Sequence, residues 1–181
     1  MAVDIQDLVA PFRAKVQQTL DACEAKGVIM VPYFTVRSPT EQAVMWRQSR
    51  TKAQIDARLQ FLRGQGAGYL ADVLDGVGPR SGPQITGALP GESWHQWSEA
   101  CDCFWSVDGT AVWSPDKYFP AGVERVNGYR VYALIAQQQG NTAGGLWKSF
   151  QDWPHIQYRK EKVTDLYSWK DINDRMKERF G

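Results

Sequence analysis

The chain has 181 residues, of which 43% are hydrophobic and 23% charged, the balance of an ordinary soluble globular protein with enough apolar material for one substantial core. A formal net charge of +1 gives no electrostatic case for nucleic-acid binding. No apolar stretch approaches the ~20 residues of a membrane span, which excludes stable membrane insertion. The start, Met1-Ala2-Val3-Asp4-Ile5-Gln6-Asp7, lacks a basic segment followed by an apolar run, so synthesis in the cytoplasm without a cleaved signal is expected.

Residues 5–26 read as a helix, with Leu8, Phe12, Val16, Leu20 and Cys23 on one face and Gly27 as its stop. Val28 to Val36 is β-branched and aromatic, hence a strand, and its Pro32 predicts an edge position or a bulge. Ser38-Pro39-Thr40-Glu41 carries the residues of a capping box and opens a helix to about Ser49. Arg37 therefore sits at a strand-to-helix junction, as a site residue or as a surface ion-pair partner, with Gln42 one turn on. Thr51 caps a further helix, and Tyr69 to Gly76 forms a short one. Gly76 to Gly91 is Gly- and Pro-rich loop, with a short strand predicted over Gln84 to Ala88.

Ala100 to Ser106 reads as a strand, Asp108-Gly109 as a hairpin turn and Thr110 to Trp113 as the return. A helix is predicted over 121–139, with Gly140 as stop. Trp147 to Phe150 and Ile156 to Tyr158 read as strand pieces interrupted by Pro154, and Ser168 caps a last helix with Trp169, Ile172, Met176 and Phe180 as its apolar stripe. The expected fold is α+β, a small central antiparallel sheet packed with helices. Residues 1–181 are expected to form a single domain with no separate wall-binding module, because there is no repeat, linker or low-complexity segment.

Chemistry concentrates in two places. The only two histidines are His95, in Ser93-Trp94-His95-Gln96-Trp97-Ser98-Glu99-Ala100-Cys101-Asp102, and His155, in Asp152-Trp153-Pro154-His155. Two imidazoles and one carboxylate would hold zinc through three groups and leave one position open, the arrangement of a catalytic site. The spacing alone leaves open two packed histidines with solvated acids. A regular strand from His95 to Asp102 would put the two on opposite faces, so a turn near Ser98 is required. Cys101 and Cys103 read as small buried residues on the strand face opposite Asp102, with thiolate ligation as the rival. Three Cys imply no disulfide framework.

Ser93-x-His95-x-x-Ser98-x-Ala100-x-Asp102 resembles the Ser-x-His-x-x-Gly-x-Ala-x-Asp motif of the D-Ala-D-Ala carboxypeptidase and L-alanyl-D-glutamate endopeptidase family, zinc peptidases of the lysostaphin/carboxypeptidase/hedgehog-type group, in its phage-endolysin-like branch. Asp152-x-x-His155 resembles the family's second motif, and Arg37-Ser38-x-x-x-Gln42 its upstream segment. Ser98 departs from the family Gly. The resemblance implies Zn²⁺ held by His95, Asp102 and His155, Asp152 as catalytic acid/base with Glu99 as rival, and Arg37 on the oxyanion or a substrate carboxylate. Ser93, Gln42 and Trp153 are candidates for substrate contact or support of the ligands. It implies a monomeric peptidase acting on the L-Ala–D-Glu bond of the peptidoglycan stem peptide, reaching the periplasm or cell wall through a holin-type route. The alternatives are a D-Ala-D-Ala carboxypeptidase and a non-catalytic zinc-bearing binding module.

Overall fold

A computed structural model describes residues 3–121 and 124–181. In chain order its helices and strands are α1 (Ala10–Glu24), β1 (Ile29–Phe34), α2 (Pro39–Arg47), α3 (Lys52–Gly64), α4 (Gly68–Gly76), β2 (Ala100–Val107), β3 (Thr110–Val112), β4 (Phe119–Ala121), β5 (Glu124–Val126), α5 (Gly128–Gln138), β6 (Thr142–Ala143), β7 (His155–Gln157), α6 (Val163–Leu166) and α7 (Trp169–Phe180). The α+β class expected from the sequence is what forms. Among the described residues no helix is long and apolar enough to cross a membrane. The chain divides into two compact units, each built from two separate segments.

The first unit takes residues 1–36 and 98–160. Its sheet runs β1-β2-β7-β6, and β3 also pairs with β2; all of these pairings are antiparallel. β1 lies at the sheet edge and its register slips between Pro32 and Phe34, the edge position and irregularity that a strand proline predicts. The β2–β3 hairpin turns on Asp108 and Gly109, both at positive φ (49° and 76°), the geometry an Asp-Gly turn supplies. Phe12 and Val16 of α1, Tyr129 and Tyr132 of α5, Trp105 and Ile156 are buried together as the core. Cys101 and Cys103 belong to that core, and all three cysteines are free and buried.

The second unit takes residues 37–97 and 161–181. Capping boxes open α2 at Ser38, where the sequence predicts one, and α3 and α7 at Thr51 and Ser168, which the sequence predicts as caps. α4 packs against α2, α3 and α7. The tail helix buries Ile172, Asn173 and Met176, and the Asn173 side-chain oxygen Oδ1 accepts from the Leu70 backbone N–H at 3.2 Å. The tail thus docks as an integral element of this unit.

Three expectations are corrected. Gln84 to Ala88 forms no strand: the buried Gln42 side chain donates to the Ala88 carbonyl at 2.7 Å and so takes an acceptor a ladder would need. The predicted helix over 121–139 is confined to Gly128–Gln138; Asn127 caps it, and the β4–β5 hairpin precedes it, while residues 122–123 lie outside the described residues. Trp147 to Phe150 is not a strand either. The sheet there is β6, followed by a short 3₁₀ turn at Gly144–Leu146.

Candidate metal centre

Strand register assembles half of the centre. In the β2–β7 pairing Asp102 stands directly opposite His155, so both side chains leave the same sheet face. His155 Nδ1 lies 2.9 Å from Asp102 Oδ1, and both residues are buried. Cys101 pairs with Ile156 on the opposite, core-facing side, with the Cys101 and Cys103 sulfurs 3.9 Å apart. Alternation along β2 therefore turns both thiols away from Asp102. Burial also raises the Cys23 thiol to about 12, and Cys101 is held above its ordinary value by its neighbour Cys103 and by burial.

His95 precedes β2 in a short 3₁₀ turn, Trp94–Trp97. Neighbours from its own unit pin that turn. The Trp94 indole donates to the Glu161 carbonyl at 2.9 Å, and Trp97 stacks on Tyr167 with ring centroids 4.7 Å apart. The Gln96 side-chain oxygen accepts from Gly91 N–H at 2.7 Å. Ser98 then takes φ 58°, the left-handed conformation, between His95 and the strand. This is the turn that the odd His95–Asp102 spacing demands. Ligand-capable atoms of His95, Asp102 and His155 all lie within 4.8 Å of one another, and all three residues are buried. Two imidazoles and a carboxylate gathered this closely fit a divalent cation such as zinc.

The second motif folds as a tight turn. His155 N–H donates to the Asp152 carbonyl at 3.2 Å, and Asp152 N–H donates to Gly144 O at 3.1 Å. Burial alone would lower the His155 pKa; the Asp102 hydrogen bond and charge, with the Asp152 charge and Gln157, outweigh it and raise the pKa above its ordinary value. Tyr33, on β1, is likewise raised, by burial first and then by the charges of Asp102 and Asp152. Its phenol stays neutral in the field of both carboxylates.

No family model matches the chain. The peptidoglycan L-alanyl-D-glutamate endopeptidase CwlK of Bacillus subtilis (strain 168) is 27% identical over 160 residues, covering 84% of this chain and 78% of that protein. The chain is thus similar to one L-alanyl-D-glutamate endopeptidase over most of its length. Two solved structures resemble it more distantly. The Serratia marcescens L-Ala D-Glu endopeptidase ChiX is 16% identical with a TM-score of 0.47, over 84% of this chain and 81% of that one. The vancomycin resistance D,D-pentapeptidase VanY, solved with Zn(II), is 16% identical with a TM-score of 0.45, over 91% and 83%.

The other candidates from the sequence fall as follows. Arg37 Nη1 donates to the side-chain oxygen of the buried Gln42 at 2.9 Å, and Arg37 N–H donates to the His95 carbonyl at 3.4 Å. Gln42 thus holds one end of the Arg37 guanidinium. Ser93 contributes a backbone carbonyl that accepts from Gln96 N–H at 3.0 Å. Trp153 is a packing residue as well as a motif residue: the Arg130 guanidinium lies over its ring at 5.3 Å, and Gly145 approaches it too closely to carry a side chain. The Trp147 ring lies 5.4 Å from the His155 ring. Glu99 is bound by Arg159 in a two-pronged ion pair, 2.6 Å to Nε and 3.2 Å to Nη2. The charge of Asp152 acts on the imidazole of His155. Sequence reading missed Tyr33, Gln157 and Arg159. Strand parity signals Gln157, two residues after His155; nothing local signals the other two.

Proposed function

We propose that the chain, acting as one peptidase domain, is a zinc-dependent peptidoglycan endopeptidase that hydrolyses the L-Ala–D-Glu bond of the stem peptide. The observation that carries this reading is the gathering of His95, Asp102 and His155, in a chain related to an enzyme named for that bond. Zinc held by these residues supplies a Lewis acid that polarises an amide carbonyl and lowers the pKa of water to about 7.

The chain's own residues supply the rest. Asp152 takes a proton from the attacking water as the carbon–oxygen bond forms. It then delivers that proton to the departing amine nitrogen as the carbon–nitrogen bond breaks. Glu99 does not compete, because Arg159 holds both its oxygens. Arg37, oriented by Gln42, grips the developing oxyanion or a substrate carboxylate with a planar, permanently charged fork. The place of action is the cell wall, where the substrate lies, in cell lysis or lysis-dependent release.

Two measurements test this. Metal analysis should find one zinc per chain, lost in His95→Ala and His155→Ala and kept in Cys101→Ala and Cys103→Ala. Mass spectrometry of digested sacculi should find new D-Glu amino termini. Release of terminal D-Ala instead would assign the chain to the carboxypeptidases, and zinc uptake without any cleavage would make it a binding module.

A further inference from the structure

The side chain of Gln157 is held from both ends, and this decides the state of His155. Alternation along β7 puts His155 and Gln157 on one face, with Ile156 buried in the core between them. The Gln157 amide nitrogen donates to the Arg159 carbonyl at 2.7 Å. A backbone carbonyl can only accept, so the amide is fixed with its oxygen toward His155. That oxygen lies 3.1 Å from His155 Nε2. An amide oxygen also can only accept, so Nε2 must carry the hydrogen. The remaining ring nitrogen, Nδ1, lies 2.9 Å from the Asp102 carboxylate. With Nε2 committed as a donor to Gln157, a cation bound beside Asp102 would take the place of any proton on Nδ1.

Arg159 is itself fixed. Its guanidinium is clamped by Glu99, and the neighbouring Tyr158 N–H donates to the Glu99 carbonyl at 2.9 Å. A continuous line therefore runs from Glu99 in the first motif through Arg159 and Gln157 to His155 in the second.

We propose that Gln157 is a positioning residue that locks His155 as the Nε2–H tautomer and so presents Nδ1, beside Asp102, as the metal-binding nitrogen. This rests on the zinc reading above and extends it to a residue outside both motifs. Partners of this kind orient a ligating imidazole and raise its basicity, and their loss typically lowers metal affinity about 10–100-fold.

The test uses the full chain with Zn²⁺ alone, measured by chelator competition, together with ¹⁵N imidazole shifts of the zinc-loaded protein. The wild type should show His155 with Nε2 protonated and Nδ1 metal-bound. Gln157→Leu removes the acceptor and should weaken zinc binding about 10–100-fold. Gln157→Glu restores an acceptor oxygen and should recover much of that loss. Wild-type protein with Nε2 on the metal overturns the proposal, and this result needs no variant to fold. So does a folded Gln157→Leu that binds zinc as tightly as wild type with the same tautomer. If wild-type protein takes up no zinc, or His155→Ala takes up as much, the zinc reading fails and the role of Gln157 with it.

Discussion

Gly144→Ala tests whether the second motif depends on a close backbone approach. Gly144 has no positive φ, so the argument is one of space alone. A Cβ there would lie 2.5 Å from the Asp152 carbonyl oxygen, 3.0 Å from Asp152 Cβ and 3.2 Å from His155 Cβ. Ordinary contact begins near 3.4 Å, so the nearest pair must open by 3.4 − 2.5 = 0.9 Å. The atom that must give is backbone, and it is engaged: the same carbonyl accepts from His155 N–H, and Asp152 N–H donates to Gly144 O. Opening the turn therefore moves Asp152 and His155 together. Overpacking of this kind destabilises by about 1–3 kcal/mol, and a displacement near 1 Å at a reacting group lowers the rate about 10²-fold. We expect Gly144→Ala to lower the thermal midpoint, weaken zinc binding and lower sacculus hydrolysis about 10²-fold. Gly87→Ala, whose Cβ would meet nothing within 4 Å, should be silent in all three assays. If Gly144→Ala keeps wild-type zinc affinity and turnover, the turn does not depend on that contact and the steric reasoning is wrong.

Asp152→Ala should fold, keep zinc and lose about 10²–10⁴-fold in turnover, whereas Glu99→Ala should act through stability and zinc affinity, because it unclamps Arg159; near-normal turnover in Asp152→Ala would show that the base is elsewhere. Ser98→Gly should be close to neutral in thermal denaturation, since strain relief of about 1 kcal/mol at φ 58° is offset by about 0.4–1 kcal/mol of added unfolded-chain entropy. Ser98→Val, β-branched at the same φ, should destabilise by about 1–3 kcal/mol, and a silent Val variant would contradict the left-handed turn. Glu92 is raised above 4.5 by burial, partly opposed by the Leu89 N–H, Arg58 and Lys162. A raised carboxyl contributes stability below its unfolded pKa that is lost as pH rises through the folded one. Wild type should therefore lose stability relative to Glu92→Gln as pH climbs from 4.5, and parallel stability curves would refute the buried-carboxyl account.

Where the local chain carries the whole physical cause, the sequence decided the outcome. The capping boxes at Ser38, Thr51 and Ser168 need only a hydroxyl and an acid or amide three residues on. The Asp108-Gly109 turn needs only two residues that tolerate positive φ. The strained Ser98 was legible too, because the odd spacing from His95 to Asp102 cannot share a strand face without a turn. Where the cause lies in a distant partner, only the tertiary structure decided. Residues 121–126 look helical by composition, yet β4 and β5 pair with each other and Asn127 starts the helix afterwards. Glu99 reads as one more acid of the first motif, and nothing near it in sequence announces Arg159, 60 positions away, as the partner that binds it. The register of β2 on β7, which no local signal specifies, sets Asp102 opposite His155 and turns the two cysteines into the core. A one-residue slip of that register would exchange the faces and bring Cys101 or Cys103 opposite His155 in place of the carboxylate.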